Sequence, residues 1–103
     1  RIGLSSLEDI AAMKLVAITD RATKKDYIDL FVLAKKYPIE HMFDFYEKKY
    51  HLLQPNLFTL IKSLQFFSEA EETDMPKMIE KINWEGIKKF FQKEVIKLAE
   101  KYL

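Results

Sequence analysis

The stretch Ala11-Ala12-Met13-Lys14-Leu15-Val16-Ala17-Ile18 contains one charge, Lys14, and every other member is apolar. At about 100° per residue, Lys14 falls near the middle of the helical stripe Leu7, Ile10, Ala11 and Ile18, the face that this pattern assigns to a core. An ammonium group in apolar surroundings loses its proton or finds an anion. Lys14 therefore implies a carboxylate partner, a phosphate ligand, or both.

The following stretch supplies carboxylates. Arg21-Ala22-Thr23-Lys24-Lys25-Asp26-Tyr27-Ile28-Asp29-Leu30 reads as the start of a second helix, with Thr23 as N-cap and Asp26 in the first turn, where a negative charge suits the unpaired backbone N–H groups. Asp29 interrupts the otherwise apolar residues 28–34, and Asp26 projects between the faces of Leu30 and Leu33. Two neighbouring helices thus each carry charge where the pattern calls for hydrocarbon, a local inconsistency that tends to mark functional or strained sites. Two readings stand side by side. The charges form a structural pair that fixes how the helices dock, with the lysine stem lying along apolar surface; or they contact a ligand.

Outward from these two segments, helical period continues and the chain holds only two glycines. Pro38 breaks the chain, and Ile39, Met42, Phe43, Tyr46 and Tyr50 recur at the spacing of a third helix. Pro55 is placed to open a fourth, with the stripe Leu57, Leu60, Ile61 and Leu64 and an end near Ser68. The acidic residues 69–74 read as a solvated loop, Pro76 as the opening of a short helical turn, and Asn83 as the N-cap of a last helix that buries Trp84, Ile87, Phe91, Val95, Leu98 and Tyr102. The predicted fold is all-α: one domain, residues 1–103, built as a compact bundle of about five helices.

Composition narrows the function classes. Hydrophobic residues at 49% and charged residues at 32% describe a chain that folds. No apolar run approaches the roughly 18 residues of a membrane helix. The absence of cysteine excludes disulfides and thiolate metal sites and fits a cytoplasmic setting. A net charge of +1 argues against whole-surface attraction to nucleic acid. Local patches remain: Lys89, Lys93, Lys97 and Lys101 recur every fourth residue beside Lys88, a row suited to a phosphate backbone and equally to a solvated helix face. Phe45, Tyr50 and Phe66 offer stacking surfaces, although aromatic residues in helices are more often core. His41, Asp44 and Glu47 share one helix face but match no closed metal-site pattern, His51 has no partner in sequence, and residues 69–74 lack the spacing and turn glycine of a calcium loop.

The string Ser5-Ser6-Leu7-Glu8-Asp9-Ile10-Ala11-Ala12-Met13-Lys14-Leu15, followed by Arg21-Ala22-Thr23-Lys24-Lys25-Asp26-Tyr27-Ile28-Asp29-Leu30, resembles the AbiEii-type nucleotidyltransferases, an abortive-infection toxin family whose members commonly pair with an antitoxin. Trp84-Glu85-Gly86-Ile87-Lys88-Lys89-Phe90-Phe91 adds to the resemblance. What the resemblance implies is a two-part enzyme. An N-terminal lobe bears a Gly-Ser element and paired metal-binding aspartates, and a helical C-terminal lobe completes the nucleotide pocket with a lysine and an aspartate. Carried over by motif, Lys14 and Asp26 are the expected catalytic residues, Lys14 contacting nucleotide phosphates, with Arg21 and Asp29 beside Lys14 in nucleotide binding. No metal ligand is expected here, because no Gly-Ser followed by paired aspartates is present.

Residues 1–4 read as the end of an extended segment feeding a capping box at Ser5-Ser6-Leu7-Glu8, so the chain is expected to be a C-terminal lobe, with a small self-sufficient protein as the alternative. The expected ligands of the full-length protein are an NTP and Mg²⁺, with an RNA acceptor and an antitoxin as partners. This lobe alone is expected to be inactive and to form a homo-dimer through its first helix or residues 1–4. A rival reading is a non-catalytic helical interaction module, and a third, an RNA-binding helical domain, rests on the lysine row alone.

Overall fold

A computed structural model describes residues 6–74 and 83–103. Residues 1–5 and the turn expected at Pro76 lie outside the described residues. Among those described there are five α-helices, α1 (Leu7–Arg21), α2 (Lys24–Leu33), α3 (Ile39–Tyr50), α4 (Leu53–Ser63) and α5 (Trp84–Tyr102), one 3-10 turn (Ala70–Glu72), and no strand. The all-α expectation holds. Helix α1 packs against α2, α3 and α4, most extensively against α3, and α5 packs on α2 and α4.

Local chemistry explains most of the boundaries. The Ser6 hydroxyl accepts the Asp9 N–H at 3.1 Å, so the observed cap of α1 stands one residue beyond the expected Ser5–Glu8 pairing. Thr23 caps α2, as the sequence predicts, and Asp26 turns that cap into a reciprocal capping box. Pro38 precedes α3, which buries Ile39, Met42, Phe43 and Tyr46. Asn83 caps α5 by accepting the Glu85 N–H at 3.1 Å.

Three expectations are corrected. Helix α1 turns Ala11, Ala12, Leu15 and Ile18 inward and leaves Leu7 42% exposed, so Lys14 lies on the flank of the core face and not at its centre. Three neighbours pack on α1, and they take the side carrying the small Ala11 and Ala12. Helix α4 begins two residues before Pro55, with the Leu53 N–H held by Glu47 Oε1 at 3.0 Å, and ends at Ser63 instead of near Ser68. That end is set from a distance: the Tyr27 hydroxyl on α2 lies 2.7 Å from the carbonyl oxygens of both Ser63 and Phe66. Its ring is fully buried, edge-on to Phe67, Trp84 and Phe91. Burial, together with the charges of Asp26 and Glu69, pushes the phenol far above its ordinary pKa, so it remains a donor.

The third concerns the acidic residues 69–74, whose four carboxylate side chains are exposed as expected but whose backbone forms a 3-10 turn fastened to α2 and α5. Ala70 is fully buried. Thr73 Oγ1 accepts the Lys24 N–H at 3.0 Å, satisfying a donor in the first turn of α2, and Lys24 Nζ donates to the Thr73 carbonyl at 2.8 Å. The Trp84 indole N–H donates to Glu71 Oε1 at 2.9 Å, and Lys24 and Lys88 each stand 5.9 Å from the Trp84 ring.

His51 closes α3 in the left-handed conformation, φ 58°, with a side chain that is 80% exposed. A side chain with a Cβ is strained there, whereas glycine is not. His51→Gly gives up only a 4.0 Å approach to Glu47. Chemical denaturation should show a gain of about 0.5–1 kcal/mol; a loss would mean that the imidazole makes a stabilising contact that outweighs the strain.

Candidate functional site

Only Ala22 and Thr23 separate α1 from α2, and so short a connection forces the two helices to lie side by side. Asp26 and Asp29, three residues apart on α2, then face the flank of α1 that carries Lys14. Lys14 Nζ stands 3.3 Å from Asp26 Oδ1 and 2.8 Å from Asp29 Oδ2. Lys25 Nζ reaches the same Asp29 oxygen at 2.9 Å. The second Asp26 oxygen accepts the backbone N–H of Thr23 at 3.0 Å and its hydroxyl at 3.1 Å. Lys14, Asp26 and Asp29 side chains retain 25%, 17% and 28% exposure. The cluster is thus a seam at the protein surface and not a core pair.

The electrostatics follow from that half-sheltered position. Partial burial lowers the Lys14 pKa, but the hydrogen bonds and charges of Asp29 and Asp26 outweigh it, so the ammonium is held above the ordinary lysine value. Partial burial raises the Asp29 pKa, and Lys14 and Lys25 more than reverse it, leaving the carboxyl below its ordinary value. Two ammonium groups and two carboxylates sum to zero. An ammonium has three N–H donors, and the two aspartates engage two of those on Lys14, so one remains. Beside it lies a depression of about 260 Å³ walled by Ile10, Ile28, Val32 and Leu33, with Lys14 and Asp29 at its edge. Such an arrangement can hold a lysine in one orientation while leaving it a donor for a further anion.

Arg21 does not join the cluster. It is exposed and lines a separate depression with Thr23, Glu69, Glu72 and Thr73. Among the described residues, no three His, Asp or Glu side chains are grouped so as to hold a metal ion. His41 and Asp44 are exposed, and Glu47 is engaged at the start of α4. The α5 lysine row is partly neutralised from within: Lys101 pairs with Glu40 at 2.6 Å, Lys97 with Glu94 at 3.5 Å, and Lys88 with Glu71 and Glu85. Lys89 and Lys93 make no ion pair among the described residues. Phe45 and Tyr50 pack on Tyr37 and Tyr46, and Phe66 alone of the expected stacking residues is largely exposed.

Sequence reasoning missed two members of these arrangements. Lys25 shares the Asp29 oxygen with Lys14, and its signal was the i, i+4 spacing to Asp29. The Trp84–Glu71 bond had a weaker signal, namely that a half-buried indole N–H needs an acceptor. Among the described residues no helix is long and apolar enough to cross a membrane.

A family model described as "Nucleotidyl transferase AbiEii toxin, Type IV TA system" matches residues 1–101. An uncharacterized protein of Aquifex aeolicus (strain VF5) is 35% identical over 95 residues, covering 90% of this chain and 44% of that relative. The chain therefore spans less than half the length of this curated relative. No solved structure matches.

A depressed folded-state pKa makes Asp29 stabilising above its unfolded value of about 3.9, and that contribution is lost as pH falls through the folded value. Lys14, raised, contributes below about pH 10.4 and loses its contribution as pH climbs through its folded value. Asp29→Asn should therefore lower stability at pH 7 by on the order of 1 kcal/mol, the scale of a partly exposed pair, and the difference from wild type should shrink as both are titrated below about pH 4. Denaturation across pH 2–7 checks this, and a constant difference would show that the lysines gain nothing from the Asp29 charge.

Proposed function

The chain belongs to the AbiEii nucleotidyl transferase toxin family, and from that premise we propose that it is the C-terminal helical lobe of a nucleotidyltransferase, completing a pocket for an NTP. The observation that carries this reading is Lys14, oriented by two carboxylates yet keeping one N–H unused at the edge of an apolar depression. In the reaction, a hydroxyl oxygen of the acceptor forms a bond to the α-phosphorus, the bond from that phosphorus to the pyrophosphate oxygen breaks, and pyrophosphate leaves. RNA is the proposed acceptor and the cytoplasm the proposed setting. An antitoxin is the proposed protein partner.

The residues of the cluster fit phosphate contact and not metal binding. Asp26 and Asp29 are already neutralised by ammonium groups, so they present no surplus negative charge to Mg²⁺. Mg²⁺, held by ligands on another lobe, would supply charge neutralisation at the triphosphate in this reading. Lys14 adds positive charge from this side, where developing negative charge rewards a fixed donor. Asp26 and Asp29 act by holding the ammonium in place before the ligand arrives. Arg21 lies two turns along α1 from Lys14 and would serve as an outer cation. This lobe alone is inactive in this reading. Leu7 on α1, two turns before Lys14 on the same side of the helix, and Val32 on α2 are 42% and 50% exposed, and this apolar surface beside the cluster is what the catalytic lobe would cover; in its absence it, with the exposed Met13 and Val16 on other sides of α1, would favour a homo-dimer.

The rival reading, a non-catalytic interaction module, takes the same cluster as a docking pair for α1 and α2. Lys14→Met in the longer protein separates the two. Each carboxylate keeps a second partner, Lys25 for Asp29 and Thr23 for Asp26, so the stability cost should be about 1 kcal/mol or less. Transfer of labelled nucleotide to RNA should fall by about 100-fold or more, the scale of losing one fixed charge-stabilising donor. Activity that declines only in step with the folded fraction would assign the cluster to structure.

A further inference from the structure

Residues 52–68 hold a single charge, Lys62, in a chain with 17 basic and 16 acidic residues among 103. The inner face of α4 accounts for Leu57, Leu60 and Ile61, which are buried together with Leu64 just beyond it. Its outer face is the anomaly. Phe58 and Phe66 are 65% and 53% exposed, and between them a groove of about 280 Å³ is lined by Thr59, Lys62 and Ser63. Phe58 and Lys62 stand one turn apart on α4, and Phe66, three residues past the helix end, lines the same groove, so two phenyl rings and one ammonium share it. Depletion of charge with retention of aromatic side chains is the compositional mark of an interface centre. Lys62 makes no ion pair among the described residues.

The charge pattern selects the occupant. A two-fold dimer would press the same patch against itself, and because the patch contains no carboxylate, two Lys62 ammonium groups would enter the contact without a counter-charge. Single-stranded nucleic acid stacks on exposed aromatics but also requires a positively charged track for its backbone, and this face has one cation. We propose that the α4 face is a docking site for an amphipathic helix of a different polypeptide, which seats a bulky apolar side chain between Phe58 and Phe66 and a carboxylate on Lys62. This is the helix-in-groove mode of recognition, read through anchors one turn apart. No groove residue belongs to the Lys14 cluster, so the proposal stands apart from the nucleotide reading.

Two synthetic helical peptides with the same leucine face test it, one with Glu and one with Lys at the centre of that face, each fluorescently labelled and titrated with the purified chain. The Glu peptide should bind at least about tenfold more tightly than the Lys peptide, and Phe58→Ala or Phe66→Ala should each weaken it about tenfold, as expected for anchor residues. Both rings are largely exposed, so circular dichroism should show the fold retained. Lys62→Glu should reverse the preference between the peptides. Equal affinity for the two peptides, binding of neither, or indifference to Lys62→Glu overturns the proposal. So does a concentration-dependent dimer that Phe58→Ala dissolves, which would assign the face to a second copy, or tighter binding of an oligouridylate than of the Glu peptide, which would assign it to nucleic acid.

Discussion

One carboxylate, that of Asp26, holds two things at once. Its Oδ2 takes the backbone and hydroxyl of Thr23 and so fixes where α2 begins, while its Oδ1 faces the ammonium of Lys14 on α1. Because the two helices are joined by two residues only, the capping of one and its seating on the other are a single event. Asp29, one turn further on, repeats the contact with Lys14 and recruits Lys25. A helix start that would ordinarily be worth about 1 kcal/mol as a cap here also sets the register in which α1 meets α2. Any ligand that engages Lys14 therefore meets a side chain whose direction was decided by backbone hydrogen bonding.

The other face of α2 is held by quite different chemistry. Tyr27 is enclosed by aromatic edges, and its hydroxyl lies against the carbonyl of Ser63, the last residue of α4, and that of Phe66 just beyond it. The Ser63 carbonyl also accepts the Phe66 N–H at 3.2 Å, so the phenol adds a long-range contact to a turn that the backbone already closes. The ionic contacts of α2 thus face α1 at the surface, and its aromatic contacts face α4 and α5 in the interior. Since α1 also packs on α3 and α4, α2 ties the Lys14 seam to the main core without carrying charge into it.

What the sequence revealed follows from the reach of each interaction. Thr23 with Asp26, Asn83 and Pro38 act within three residues of themselves, and the helix starts they mark were legible. The end of α4 was not, because Tyr27 sets it from 36 residues away in sequence. Lys14, Asp26 and Asp29 were legible as a cluster because each broke an apolar pattern. The rotation of α1 was not: a helix apolar on nearly every side takes its inward face from its neighbours, and Ala11 and Ala12 decided it by being small. Arg21 carried no signal that separated a pocket residue from an exposed one. The exposure of the acidic residues 69–74 was legible, but their fastening was not, because the groups that hold them, Lys24 on α2 and Trp84 on α5, are distant in the chain.

Trp84 is the chain's only tryptophan, and its indole is bonded to Glu71 and flanked by the ammonium groups of Lys24 and Lys88. These partners come from α2, from the 3-10 turn and from α5 itself. The protein therefore carries an intrinsic optical reporter at the junction of three segments that are remote in sequence. Its emission senses whether α5 and the acidic turn are seated on α2, and it does so without a label.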